Sequence, residues 1–354
     1  MIRAYRITDN RLAELAGWDP SMLNIEFQDI EVLDSDFDLT LTGFEMGEID
    51  VLLGLPPDET PETVEDPDLV VPAVTQLGDL WLIGDHRLIC GDARDPDVLK
   101  SVMNGDTAQM VFTDPPYNVP ISGHVCGQGK VQHREFAMAS GEMSEEGFRA
   151  FLGTVLGNLA SVSTPSAIHY VCMDWRHMED VSAVGRETYA ELKNLCVWAK
   201  TNAGMGSFYR SQHELVFVFK CDGGPHINNF GLGEHGRHRS NVWTYAGVNT
   251  FRKDRMEDLV AHPTVKPIQM VMDAVLDCSH RGGIVLDAFV GSGTTLLAAA
   301  RTGRQGYGVE IDPHYVDLTL ARLHAETGGT PILDATFETF DEVKTRRAEE
   351  VSDD

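Results

Sequence analysis

The chain has 354 residues, 42% of them hydrophobic, and a formal net charge of −27. That apolar content supports a sizeable core in one large domain or two modest ones. No apolar run is long enough to span a bilayer, and the opening Met1-Ile2-Arg3-Ala4-Tyr5-Arg6 is no signal peptide, so the expected compartment is the cytoplasm.

In chain order, residues 1–54 form an acidic segment whose apolar residues, among them Leu12, Leu15, Leu23, Ile25, Phe27, Ile30 and Ile49, sit at mixed spacing. The expectation is short helices joined by acidic turns. Residues 55–75 contain Pro56, Pro57, Pro61, Pro67 and Pro72 among acids, a composition that resists helix and core packing and predicts a linker. From residue 76 a domain begins that is expected to run to residue 330. Leu80 to Cys90 predicts a hairpin around Gly84-Asp85-His86, followed by Gly91-Asp92. Read from its neighbours alone, Asp92 is a helix cap or turn before Asp95-Pro96.

Gln109-Met110-Val111-Phe112 reads as a buried parallel strand that runs into Thr113-Asp114-Pro115-Pro116-Tyr117-Asn118. A carboxylate, two prolines and an aromatic ring at a strand end suit a flat polar ring. Asp114 accepts hydrogen bonds from an amino group, the prolines fix the backbone carbonyls, and Tyr117 stacks. The plainer alternative is a proline turn. Residues 119–139 carry Lys130 and Arg134 against a single acid, and a segment of that length is expected to act as a lid.

Helices are predicted over 144–159 and 175–192, and strands over 167–172, 195–199 and 215–219. Between the last two strands lie Phe208, Tyr209 and Arg210, suited to stacking and phosphate contact, and then His213 and Glu214, for which a structural role is as reasonable as a chemical one. Ala261 to Pro267 opens a helix that ends near Ser279.

Ile284 to Ala300 reads as strand, glycine turn and alanine-rich helix: Asp287-Ala288-Phe289-Val290-Gly291-Ser292-Gly293-Thr294-Thr295 lies at its centre. Gly291 and Gly293 allow close approach of a ligand, and the free N–H groups at the start of the helix favour an anion. The next strand ends at Glu310, 23 residues after Asp287, near the ~20 at which an acid meets a ribose in dinucleotide folds.

Together the two motifs resemble the amino-methyltransferases of DNA, which carry Asp-Pro-Pro-Tyr beside Asp-Pro-Phe-x-Gly-Ser-Gly-Thr-Thr. Ala288 stands here where that family usually has proline. The catalytic motif precedes the cofactor motif, as in the permuted class called beta. The resemblance implies a doubly wound, Rossmann-like α/β sheet, S-adenosyl-L-methionine as cofactor and double-stranded DNA as substrate. It implies a catalytic set of Asp114, Pro115, Pro116 and Tyr117. It assigns Asp92, Asp287, Phe289, Gly291, Gly293, Thr294 and Glu310 to the cofactor, and Thr264 and Lys266, from a His-Pro-Thr-x-Lys-Pro match, to its methionine end. The stretch from Lys200 to Glu214 matches a loop that lines the target-base pocket, and Asp at the first motif position favours adenine over cytosine.

The N-terminal end resembles the tail of a ParB-like nuclease domain fused to such methylases in phages. It is too short for nuclease activity, which leaves a docking piece or remnant. The open alternatives are N4-cytosine methylation and a non-catalytic DNA-binding regulator. A ParB-like or endonuclease partner and a dimer are compatible with the resemblance.

Charge needs reconciling with a DNA substrate. Residues 1–70 hold 18 acids against 3 bases and residues 334–354 hold 8 against 3, so the ends account for most of the excess and the last stretch, 331–354, reads as an acidic tail. Within 226–256, inside the 222–260 segment, Arg237, Arg239, Arg252, Lys253 and Arg255 outnumber Glu234 and Asp254. Local charge governs phosphate attraction, which makes this the candidate DNA-recognition segment, with Lys130, Tyr209, Arg210, Arg237 and Arg239 the expected contacts. The alternative is a solvated loop. The six cysteines form no Cys-x-x-Cys pair and several lie in apolar runs, where they are expected reduced and buried. His226, His235 and His238 lack zinc spacing, so no metal is expected.

Overall fold

The structure is a computed structural model that describes residues 20–33, 37–53, 67, 71–118, 141–201, 203–204, 206–233, 239–246 and 265–352. At the N-terminal end, helices α1 (Pro20–Leu33) and α2 (Met46–Leu53) flank a 3₁₀ turn, Leu39–Thr42, that is capped by the Asp38 carboxylate and closed by Gly43 at φ +91°. Leu23, Phe27, Leu39 and Ile49 form a small core of their own.

The remaining elements are, in order, β1 (Leu80–Ile83), β2 (His86–Cys90), α3 (Pro96–Met103), β3 (Ala108–Thr113), α4 (Glu145–Ser161), β4 (Ser163–Met173), α5 (Met178–Thr188), β5 (Glu191–Lys200) and the short β6 (Gly206–Ser207) and β7 (Tyr209–Arg210). They continue with β8 (His213–Lys220), β9 (Val242–Tyr245), α6 (Ile268–Cys278), β10 (Ile284–Asp287), α7 (Thr294–Arg301), β11 (Gln305–Glu310), α8 (Pro313–Thr327), β12 (Ile332–Leu333) and α9 (Phe340–Ser352). The helix starts follow local chemistry: Asp95 and Asp312 cap α3 and α8, each with proline next, and Ser144 caps α4.

Ten strands make one sheet in the order β12-β1-β2-β11-β10-β3-β4-β8-β5-β9. Strands β2, β11, β10, β3 and β4 run parallel, and β8 inserts antiparallel between β4 and β5. The central strands β3 and β10 are buried along nearly their whole length, as strands covered on both faces must be. Val111 and Leu286 face one core with α3, α4 and α5, whereas Met110, Phe112 and Val285 face the other with α6 and α7. Helices on both faces of a largely parallel sheet bear out the doubly wound α/β expectation.

From β10 the chain crosses through α7 to β11 on one side, and from β3 through α4 to β4 on the other. The boundary between β10 and β3 is therefore the switch point at which such sheets bind ligands, at the carboxyl ends of the strands.

Two expectations need correction. The helix expected over 175–192 breaks into a 3₁₀ turn, Trp175–His177, and α5, which ends at Thr188; Leu192 pairs with Phe219 as part of β5. Cross-strand pairing wins there over helical periodicity. Residues from Ile332 onward are no loose tail: β12 pairs with β1, Phe340 packs on Trp81, Val343 is fully buried, and the Arg347 guanidinium bonds Asp79 at 2.6 and 2.9 Å. The N-terminal unit is tied to the main sheet by Asp50, whose oxygens accept from Arg304 Nη1 and Nη2 at 3.0 and 2.9 Å, both side chains being buried.

Candidate active site

Parallel registers pair Val285 with Met110 and Leu286 with Val111, so the ends of β10 and β3 emerge side by side. There the Thr113 hydroxyl donates to Asp287 Oδ1 at 2.9 Å, which joins the two sequence motifs directly. Asp287 also accepts from the Phe289 N–H at 3.0 Å and the Thr295 hydroxyl at 2.7 Å. Burial pushes its carboxyl up to about 6. Asp287, expected at the cofactor, braces the glycine turn through these bonds.

That turn needs its glycines for different reasons. Both have left-handed φ, +52° at Gly291 and +91° at Gly293, which disfavours side chains. A Cβ at Gly293 would also lie 2.8 Å from Thr319, whereas at Gly291 it would meet open space. Among the described residues no side chain caps α7, whose first residue, Thr294, is buried. Glu310, at the end of β11, accepts from the N–H groups of Gly291 at 2.8 Å and Asp312 at 2.9 Å, and burial lifts its carboxyl to about 7. Asp92 follows the end of β2, the next strand over, and pairs with Arg94 at 2.6 Å. Phe289 packs beside Phe151. The crevice thus draws on the ends of four neighbouring strands, β2, β11, β10 and β3.

At its β3 side the catalytic candidates form a charged cluster. Pro115 is buried, and Asp114 and Tyr117 are partly so. Tyr117 donates its hydroxyl to Asp114 Oδ1 at 2.6 Å. Lys266 Nζ lies 2.5 Å from Asp114 Oδ2 and 3.1 Å from Glu214 Oε2. Lys266 precedes Pro267, which restricts it to extended backbone at the entrance to α6. Glu214 lies just before the buried part of β8, and its second oxygen takes Lys200 Nζ of β5 at 2.5 Å. The Lys200 and Lys266 ammoniums lie 4.5 and 6.0 Å from the centre of the Trp198 ring.

Electrostatics separates the two carboxyls. Burial would raise Glu214, but Lys266 and Lys200 outweigh it and hold the group at about 2. Burial raises Asp114, with Lys266 opposing and the Glu214 charge reinforcing. Burial favours neutral Lys266, but Asp114 and Glu214 reverse that and hold the ammonium charged. Sequence reading placed Lys200 only at the edge of the pocket-lining stretch, gave Trp198 no role and left Glu214 undecided; a lysine ending one strand and an acid opening the next was the available signal. Lys266 was expected at the cofactor, and its described partners are Asp114, Glu214 and Tyr117.

Asn118, another residue without an expected role, joins the two ends of the 119–140 stretch: its Oδ1 accepts from the N–H groups of Gly141 and Met143, and its Nδ2 donates to the Met143 carbonyl. The expected lid, Lys130, Arg237 and Thr264 lie outside the described residues. Tyr209 and Arg210 are exposed on the β6–β7 hairpin, next to Phe208. Arg239 is a correction. Its guanidinium bonds Asp277 at 3.0 Å and Asp273 at 3.3 Å and lies over Trp243. Held in that way it anchors its segment to α6 and is not displayed to phosphate. Five cysteines, Cys90, Cys172, Cys196, Cys221 and Cys278, are free and buried as expected.

The DNA methylase family profile matches residues 108–321, which spans both motifs and every member of the charged cluster. The chain belongs to that family and is a DNA methyltransferase. A ParB-methyltransferase HTH domain profile matches residues 21–77, across the stretch expected to be a linker. Among relatives, the Type II methyltransferase M.HpaI of Haemophilus parainfluenzae is 25% identical over 76% of this chain and 82% of its own. M2.DpnII of Streptococcus pneumoniae is 27% identical over 64% and 86%, and the DNA adenine methyltransferase YhdJ of Escherichia coli K12 is 24% identical over 67% and 87%. Solved structures with similarity include M1.HpyAVI in complex with SAM, 18% identical over 67% of this chain and 98% of that one with a TM-score of 0.48. Another is the cytosine-N4-specific PvuII DNA methyltransferase, 13% identical over 80% and 94% with a TM-score of 0.49.

Proposed function

We propose that the chain methylates the exocyclic N6 amino group of an adenine turned out of duplex DNA, with S-adenosyl-L-methionine as donor. The observation that carries this reading is the 2.9 Å bond from Thr113 to Asp287, which sets Asp114 beside the glycine turn at the switch point. The residues present suit the donor: Glu310 offers a carboxylate to ribose hydroxyls, Gly291 leaves room for close approach, and Asp92 stands one strand further along. When bound, the donor supplies a methyl group on a positively charged sulfur.

An adenine amino group is a weak nucleophile because its lone pair is delocalised into the ring. Asp114 and the Pro115 carbonyl, as acceptors of its two N–H bonds, draw the nitrogen towards tetrahedral geometry. Asp114 also stands nearest the proton that the nitrogen sheds once methylated. Tyr117 offers a face for stacking the base, which must leave the helix because its amino group is out of reach inside it. The chain's contribution is alignment and preorganised charge.

Adenine is favoured by Asp at the first motif position and by the relative named for adenine methylation. The Type II relatives support a restriction-modification setting in the cytoplasm, with an endonuclease of the same specificity as functional partner. The test is methyl transfer from labelled donor to unmethylated genomic DNA, followed by nucleoside chromatography. N6-methyladenine is expected; N4-methylcytosine would overturn the base assignment, and no product the activity. Asp114→Ala should lower turnover by about 10²–10³-fold or more and leave donor affinity within a few fold.

A further inference from the structure

We propose that Lys266 is a positioning residue: its ammonium, seated between two carboxylates, keeps Asp114 ionised and aimed at the substrate amine. The inference rests on the methyl-transfer reading and assigns a task to a side chain outside the Asp-Pro-Pro-Tyr motif.

Geometry carries the argument. Lys266 Nζ is 2.5 Å from Asp114 and 3.1 Å from Glu214, and its side chain is 6% exposed. A lysine so placed has two carboxylate acceptors, the Tyr117 hydroxyl at 3.3 Å as a third, and little water. The other groups facing Asp114 are the Tyr117 hydroxyl, Glu214 of β8, Cys172 of β4 and Asp287 of β10, with Lys200 one step away on Glu214. Among the described residues Lys266 is the cation recorded in contact with Asp114, whereas Glu214 has both Lys266 and Lys200. Loss of Lys266 would leave two carboxylates joined through one tyrosine hydroxyl. Like charges in a buried site cannot both stay ionised, so one takes up a proton. Lys200 remains with Glu214, and the proton therefore goes to Asp114. A protonated Asp114 has lost the charge that draws on the amine, and the nitrogen stays flat and unreactive.

Lys266→Met is therefore expected to move the acid limb of the single-turnover rate to higher pH by about one unit or more, a roughly tenfold loss below neutrality that shrinks in alkaline buffer. Lys266→Arg, which keeps the charge, should hold the limb near that of the wild type. Adding Glu214→Gln to Lys266→Met removes the repelling charge and should bring the limb back. Glu214→Gln alone, with Lys266 in place, should move it to lower pH, and this variant tests the idea if the methionine variant fails to fold. Donor affinity of Lys266→Met, measured by calorimetry, should change by less than about threefold. The inference is overturned if Lys266→Met loses the same factor at every pH, if Glu214→Gln has no effect in either background, or if the loss lies in donor affinity. A wild-type chain without methyl transfer would sink the parent reading instead; an active wild type with an unmoved limb sinks this inference alone.

Discussion

Glu310 is buried at the end of β11, where among the described residues two backbone N–H groups stabilise its charge, and its carboxyl rises from 4.5 to about 7. Between those values the unfolded chain is ionised while the fold holds a proton, so the ligand-free protein loses stability as pH climbs from about 4.5 to about 7. The loss amounts to roughly 3 kcal/mol at most. Asp287, raised from 3.8 to about 6, adds to it in the same direction over its own range. Urea midpoints across this range should fall with pH for the wild type and lie flatter for Glu310→Gln; parallel curves would contradict the assignment. The same burial readies the residue for a ligand, since hydroxyl donors bound at Glu310 stabilise the charged form and should tighten binding as pH rises.

At the scale of elements, the β6–β7 hairpin and the N-terminal helices do different work. The hairpin extends β5 and β8 beyond the carboxyl end of β5 and exposes Phe208 at 94% and Tyr209 at 78%. Phe208 holds φ +64° without being glycine, a strained backbone of the kind that clusters at functional sites. Tyr209→Ala should weaken DNA binding by about 1–3 kcal/mol, and Arg210→Ala should reduce the slope of affinity against salt by about one. Fluorescence anisotropy over a salt series reads both; unchanged affinity and slope would remove the hairpin from the interface.

The N-terminal helices lie in a stretch with no lysine or arginine between Arg11 and Arg87, although the family match names a helix-turn-helix. Their described ionic ties are inward, from Asp50 to Arg304 at 2.9 Å and to Arg281 at 3.6 Å. Asp50→Ala takes the carboxylate from the buried Arg304, which keeps only neutral acceptors on Thr302 and Ser279 among the described residues, and should cost about 3–5 kcal/mol, visible as a lower denaturant midpoint. An unchanged midpoint would mean that the unit does not dock as described.

For the whole molecule, the sheet ends at β12 and not at residue 330. Truncation there would strip Phe340 from Trp81, remove buried Val343 and Arg347, and leave β1 an open edge. Such edges invite intermolecular pairing. Burial of Val343 and the partial burial of Phe340 are together worth about 2–4 kcal/mol, so the truncated chain should melt earlier and aggregate on heating, as light scattering during a thermal ramp would show. A truncated chain with an unchanged melting temperature would restore the tail reading.

The sequence by itself determined the family, the α/β class, the strand-end position of Asp114 to Tyr117 and the glycine turn. Each of these depends on a few consecutive residues whose backbone preferences are local. Tertiary structure decided which charges meet. Lys266 lies 152 residues from Asp114 in sequence, and its direction follows from α6 packing against the sheet behind Pro267. Lys200 and Glu214 face each other because β5 and β8 pair antiparallel. Arg239 read as a phosphate contact by composition, yet Asp273 and Asp277 on α6 claim it. Charge in a sequence is only a count; where a charged side chain lies against water, a carboxylate or a ligand depends on how the elements pack.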